Sequence, residues 1–573
     1  MSFPLRKTAL ALALSSASLA CAAQVVVNDG LDGNWFAPNA GGRGVSVDAI
    51  ANEDGSSRIY GVVFTYDTAG KPLWLTMLGD VPAGQSVVDG VPVLRFEGGR
   101  FDSANPAPTS TVVGTASIDV SSCKAISLTF DMNADSGLPD ATLDVAPAQV
   151  NVGYAANPLC AAAPVLAACP TGTTAEGADC LLPNSITGNL YLPAGKKYLV
   201  RGAVIVEGGG TLTVAPGVTV QGHSDISVAN FIGVKQDGRI YADGTPTRPI
   251  VFTGPTPEVG SWGGLHIAGR STCNDYVSAA EPCRFEAYPD MAFGGGKLDD
   301  SSGVLRYVRI EWAGVPIRPN EELNSLTLLG VGAGTVLDHV QVDGGKDDGF
   351  EFFGGNVNGS HLVCSNMGDD CFDFDDGYHG KLQFLLAWQG DNTDIGSDSN
   401  GIESDNSKDS PDIQPRTQPQ ISNITLLGSS TFPNKHGLRI RRGSGGNYAN
   451  LVVHGFTDRC LALDDAATFA LGTASGQGAA LSMTHSFVGQ CGGGAFDDSA
   501  NDPYLVSAWF NATGAGNQSG DPKLNGFLPA AGSPLLQGGK SLADPFFRPV
   551  SYRGAFAGAH DDWTAGWTVH LPR

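Results

Sequence analysis

Four carboxylates and two arginines fall at matching places in three short runs of this chain: Asp373 and Asp375 in FDFD, Glu403 and Asp405 in IESD, Arg439 and Arg441 in LRIR. Carboxylates held together repel one another unless a proton, a cation or an arginine compensates them. Such a group suits acid and base catalysis, cation binding or a plain surface ion-pair network. If hydrolytic, Asp373 and Asp375, about 7 Å apart along one strand, suit an inverting pair of carboxyls, whereas Asp373 and Glu403, about 5 Å apart on neighbouring strands, suit a retaining pair. Arg439 and Arg441 would orient a sugar or stabilise charge. His436, just ahead of LRIR, is a candidate proton carrier or a turn residue. Tyr378 and His379, in DDGYHGK after FDFD, either flank the same groove as substrate-binding residues or form a structural turn.

A second acidic group lies in the loop DNTDIGSDSNGIESDN, residues 391–406. Asp391, Asp394 and Asp398, with the carboxylates that follow, offer the six to eight oxygens that calcium takes, although the EF-hand pattern fails at Gly396. The other reading is a solvated polar loop. No GxSxG elbow supports a serine hydrolase, and no GxGxxG loop opens a helix.

The elements that must position these residues show as a repeat. DDGFEFFGGNVNGSHLVCSNMG (347–368) and DDCFDFDDGYHGKLQFLLAWQG (369–390) are adjacent and equally long. Aligning Gly349, Cys371, Gly401, Gly437 and Cys460 superposes FEFF, FDFD, IESD, LRIR and LALD, with loops inserted at 391–398 and about 406–420. Side chains alternate across a strand, so Phe350, Phe352, Phe372, Phe374, Ile402, Leu438, Ile440, Leu461 and Leu463 share one face, which only Ser404 interrupts. That face is the interior of a solenoid. The opposite face carries two outward columns: Glu351, Asp373, Glu403, Arg439, Ala462 and Phe353, Asp375, Asp405, Arg441, Asp464.

Composition agrees with such an architecture. The 573 residues include 77 glycines and 34 prolines, with only 16% charged residues, and no long stretch has the apolar period of an amphipathic helix. The class is all-β, with repeats of this length pointing to a solenoid. A formal charge of −24 argues against nucleic acid and anionic membranes as partners and favours neutral ligands or divalent cations. No apolar stretch after the leader is long enough to span a bilayer.

Residues 1–23 have a basic start (Arg6, Lys7), an apolar middle and small residues before the end, as an export signal does. Cys21 offers a lipid anchor as the alternative to a secreted, periplasmic or cell-surface protein, but Leu19 stands one place too close to it for the usual lipobox. Ten further cysteines remain: Cys123, Cys160, Cys169, Cys180, Cys273, Cys283, Cys364, Cys371, Cys460 and Cys491. An even number in an exported chain suggests disulfides, and pairing sequence neighbours gives five, though spacing does not determine connectivity.

The domains expected are a small antiparallel β domain over 24–160, a linker over 161–183, a parallel β-helix over 184–545 and a C-terminal cap over 546–573. In the first, NAGGRGVSV and FTYDTAGKPLWL resemble a short β module of exported proteobacterial proteins. Beyond residue 185, WGGLHIAG, VLRYVRIEWAG, LTLLGVGAGTVLDHVQV, DDGFEFFGG and RGAFAGAHDDWTAGWTVHLP together resemble a family of exported bacterial right-handed parallel β-helix proteins of unsettled activity. More distantly this fold is similar to the pectate lyase and polygalacturonase superfolds. NTD (392–394), GDD (368–370), His436 and RIR (439–441) match pieces of the polygalacturonase signature in a different order.

The function expected is binding and, as a glycoside hydrolase or polysaccharide lyase, cleavage of extracellular or cell-surface polysaccharide on the outward strand face, with calcium as the candidate cofactor. The alternative is a non-catalytic surface adhesin or scaffold, with the solenoid as a stiff rod.

Overall fold

The computed structural model describes residues 27, 31–51, 57–82, 85–100, 107–123, 125–147, 168–225, 227–318, 321–390, 392, 395–396, 398–429, 433–473 and 477–572. The export signal with Cys21, the aspartates Asp391 and Asp394, and Cys160 lie outside them. The chain divides into two compact units, Met1–Ala163 and Pro164–Arg573.

The first unit is a closed barrel of eight antiparallel strands in sequence order, with Gly33–Phe36 pairing Ala141–Pro147 to close it. Period-two alternation sends Val45, Val47, Ile59, Val63, Leu75, Met77, Ile118, Leu128 and Phe130 inward to one core. Asp67 accepts hydrogen bonds from the backbone of Ala69 and Lys71, which sets the tight turn between the third and fourth strands.

The second unit is a parallel β-helix. One sheet stacks eleven short strands, among them Leu265–Ala268, Leu326–Leu329, Phe350–Phe353, Phe372–Asp375, Ile402–Ser404, Leu438–Ile440 and Arg459–Leu463. Its inner face is the aromatic and aliphatic stack expected: the Phe350 and Phe372 rings lie 5.1 Å apart and nearly parallel, and Phe352 lies 5.1 Å from Phe374. Truncating one of these fully buried rings would cost roughly 3–5 kcal/mol. Bridges Cys169–Cys180, Cys273–Cys283, Cys364–Cys371 and Cys460–Cys491 staple neighbouring segments, and Cys123 is also disulfide-bonded.

Each central coil is completed by a long strand such as Val336–Asp343, Gly359–Ser365, Lys381–Trp388 or Gln420–Leu427. These strands bend at one residue with positive φ, which stacks from coil to coil as Tyr307, His339, His361, Phe384, Asn423, Asn450 and His485. Asp338 accepts a hydrogen bond from His361 and lies 3.0 Å from His339 Nδ1, and the two histidine rings stack at 4.2 Å.

Two expectations change. Residues 168–183, read as linker, are already part of the solenoid: Thr174–Glu176 and Asp179–Leu181 form a hairpin that adds to the strand Lys197–Val200. Residues 546–572, read as a terminal cap, run along the flank instead. Arg548 is bonded to Gln383, Gly554 to Asn423, Val569 to Gln341 and His570 to Asp343, while Trp563 and Trp567 pack edge-on over the His361 and His339 rings. The reason is chemical: the bend residues leave side-chain amides and ring edges that a solenoid flank cannot satisfy, and the returning segment supplies carbonyls and indoles to meet them.

Candidate functional site

The outward face of the eleven-stranded sheet carries its side chains in register. Thr327 pairs Glu351, Glu351 pairs Asp373, Asp373 pairs Glu403 and Glu403 pairs Arg439; Phe353 pairs Asp375 beside them. The first column begins on His266, which is fully buried between Thr327 and the Gly263 carbonyl and pushed down to about 3 by burial. It then becomes acidic for three coils and basic on the fourth.

A third column, invisible to strand alternation, runs through the turn two residues before each strand. Asp348 Oδ1 accepts from the Asp370 amide at 2.8 Å, Asp370 Oδ1 accepts from the Asn400 amide, and Asn400 Oδ1 accepts from the His436 amide at 3.1 Å. Each side chain caps the next coil, and the spare carboxylate oxygens turn toward the outward columns. Oxygens of Asp348, Glu351 and Asp373 lie within 4.8 Å of one another, as do those of Asp370, Asp373 and Glu403. Asp347 and Asp369 extend the acidic group.

Compensation is one-sided. Arg441 bridges Glu403 and Asp405, Arg442 adds a second contact to Asp405 at 2.7 Å, and Arg439 reaches Asp464 at 2.7 Å and Asp398 at 3.1 Å. Asp373, at the centre, has its buried Oδ1 without a hydrogen-bond partner. Glu351 receives the Asn324 amide, whose own Oδ1 is buried and unpartnered. Burial first, then the neighbouring carboxylates, hold Asp348, Glu351, Asp370, Asp373 and Asp375 far above the usual carboxylate range. Burial and Asp405 push Glu403 up to about 7 against the pull of Arg441 and Arg439.

The disulfide-stapled excursion at 273–293 forms one wall. Phe285 packs against Phe353 at 6.3 Å, and the Asn274 amide donates to the Asp376 carbonyl. Asp376, burdened by burial, Asp275 and Glu286, is raised to about 7.

Asp373, Asp375, Glu403, Asp405, Arg439 and Arg441 are therefore brought together, with different environments. Asp373 and Asp375 are half-buried, whereas Glu403 and Asp405 are 7% and 3% exposed and each contacts two arginines. Tyr378 must be corrected: it is fully buried, stacked on Phe352 and Phe374, with its hydroxyl donating to the Val357 carbonyl. The turn rolls it into the core, so it cannot bind substrate. His379 is a turn residue whose Nδ1 meets the Gly377 carbonyl. His436 stands two coils from Asp370 in the turn column, 4% exposed, and burial lowers it; the charges around it are Asp458, Arg439, Lys435 and Asp464 rather than Asp373. Asp398 pairs with Lys435 and Arg439, away from the oxygen cluster. Sequence reasoning missed Asn324, Asp348, Asp370 and Asn400 as site residues, although the leading DD of the two adjacent repeats was a signal for Asp348 and Asp370.

A parallel β-helix with an acidic outer sheet is thus defined, and residues 184–568 match the family described as a pectate-lyase-like beta helix domain. The chain belongs to that family. One solved structure with a similar run of chain is the catalytic domain of GH87 alpha-1,3-glucanase in complex with nigerose, at 12% identity, covering 82% of this chain and 91% of that one. Its TM-score of 0.29 is too low to carry an argument. No curated protein matches the sequence. Among the described residues no helix is long and apolar enough to cross a membrane.

Proposed function

We propose that the protein is exported, binds extracellular or cell-surface polysaccharide on the outward face of the eleven-stranded sheet, and cleaves it there. The observation that carries this reading is Asp373: a carboxyl with an unpartnered buried oxygen, in register between Glu351 and Glu403. The four intra-chain bridges in the solenoid fit a protein that folds in an oxidising compartment.

Asp373 and Glu403 present carboxylate oxygens within 4.8 Å of each other, nearer the separation of a retaining pair than the 6.5–9.5 Å of an inverting one. Burial and the neighbouring carboxylates favour the proton on Asp373, which donates it to the glycosidic oxygen as that bond breaks. Glu403, held by Arg441, attacks the anomeric carbon and forms a glycosyl ester. Asp373, now ionised, takes a proton from the water that releases the sugar.

The all-oxygen set Asp348, Glu351 and Asp373 also fits a hard cation, and calcium there would supply neutralising charge and bind sugar oxygens. Asp373 cannot hold a cation and a proton together. Calcium that favours binding while slowing hydrolysis is therefore the expected behaviour.

A scaffold reading draws on the arginine clamp over Glu403 and Asp405, which seals part of the patch. A polysaccharide panel separates the two, with wild type and Asp373→Asn assayed with and without calcium. Turnover of one polymer that Asp373→Asn abolishes supports the enzyme; neither binding nor turnover anywhere leaves the scaffold.

A further inference from the structure

A second concave site lies one corner away from the acidic face. A groove of about 1050 Å³ opens between the coils and the returning C-terminal segment, and Glu258, Trp312, Asn366, Trp388, Asn392 and His570 line it. That is the size of a generous small-molecule cleft.

The repeat builds it. Glu311, Asp343, Ser365 and Trp388 are paired in register at the ends of successive long strands. The chain turns after the first three through left-handed residues Trp312, Gly344 and Asn366, at φ 62°, 66° and 57°. Coils are spaced by about 4.8 Å, so three steps set the backbones that carry Trp312 and Trp388 roughly 14 Å apart along the stack.

Both indoles are laid over bare backbone. A Cβ at Gly344 would run into the six-membered ring of Trp312, and one at Gly390 into that of Trp388. Trp312 is also steadied by His570, whose ring centre lies 5.6 Å away and whose Nδ1 is 2.7 Å from the fully buried Asp343 carboxylate. Asn366 and Asn392 tie the floor together through the Asp343 carboxylate and the Gly345 carbonyl.

We infer that this groove binds a neutral oligosaccharide, with Trp312 and Trp388 as two stacking platforms. An indole face matches the C–H face of a pyranose, and the wet polar rim matches its hydroxyls. Two platforms several coils apart call for a chain rather than a single ring. Glu258 at the rim and the formal charge of −24 disfavour anionic sugars. None of the residues that line the groove belongs to the acidic columns, so the inference stands apart from the hydrolytic reading.

The test is calorimetry and tryptophan fluorescence on the full chain. The probes are hexasaccharides of β-1,4-glucose, β-1,3-glucose, β-1,4-mannose and β-1,4-N-acetylglucosamine, with hexagalacturonate as the charged control. At least one neutral probe gives saturable binding that Trp388→Ala weakens by about tenfold or more. Gly390→Ala, which displaces that ring without removing it, weakens binding too and covers the case in which Trp388→Ala fails to fold. Asp373→Asn leaves the groove binding intact. Four results would overturn the inference: silence from every neutral probe, unaltered affinity in Trp388→Ala and Gly390→Ala, tighter binding of hexagalacturonate, or loss of all binding in Asp373→Asn.

Discussion

Asp373 and Glu403 face each other on adjacent coils, yet only Glu403 has a guanidinium in contact with it. Burial and neighbouring carboxylates raise both, and only in Glu403 does direct arginine contact pull against that rise. Splitting two like groups by environment is how acid and base roles are assigned within one site.

The first consequence is a pH dependence of stability. A carboxyl whose folded pKa is raised binds its proton more tightly folded than unfolded, so stability falls as pH climbs above the unfolded value of about 4. Glu403 and Asp376 are raised to about 7, and Asp348, Glu351, Asp370 and Asp373 are also raised. Thermal unfolding without divalent cations should show the solenoid losing stability between about pH 4 and 7. Asp373→Asn should flatten that slope and raise stability at pH 7 by on the order of 1 kcal/mol or more. An unchanged slope in the variant would remove Asp373 from the coupled group.

Calcium should act on the same slope. A cation held by Asp348, Glu351 and Asp373 replaces the missing counter-charge and stabilises by about 2.7 kcal/mol at a hundredfold excess over Kd. Melting at pH 7 with calcium and then with a chelator reads this directly. Glu351→Gln should lose most of the increment, whereas Asp398→Asn, whose native partners are Lys435 and Arg439, should keep it.

Arg441 should behave as the keystone of the sealed half. Its removal leaves Glu403 with Arg439 at 3.7 Å and Asp405 with Arg442 alone, and the two are 7% and 3% exposed. Arg441→Met is expected to cost about 3–5 kcal/mol in urea unfolding. Adding Glu403→Gln and Asp405→Asn should recover much of the loss, because what remains then carries no stranded charge.

The C-terminal segment gives a local prediction. His570 is raised by its hydrogen bond to Asp343, so the pair contributes below about pH 6.5 and fades as pH rises through the folded value. Hydrogen exchange over 563–572 should quicken from pH 6 to pH 8, after correction for intrinsic rates, more than in the barrel unit. Trp567→Ala removes an indole that is 1% exposed and should cost about 3–5 kcal/mol.

How far the sequence foretold this site depends on which residues obey a period. FEFF, FDFD, IESD and LRIR alternate with only Phe353 and Ser404 breaking the pattern, so their register and their outward columns could be read directly. Asp348, Asp370 and Asn400 sit in turns, where no alternation fixes side-chain direction; each caps the next coil, and oxygens of Asp348 and Asp370 also join the cluster. Tyr378 misled for the same reason, since one bend past the strand reverses its direction into the core. The flank segment was illegible because its partners, such as Gln341 and Asn423, lie 228 and 131 residues away in the chain.

That returning segment also sets the order of events in the protein's life. Repeat stacks can fold coil by coil as the chain emerges, each new coil resting on the last. Here the flank of the central coils is met by residues 548–570, which lie 131 to 228 residues further along the chain, so it stays open until that segment has docked.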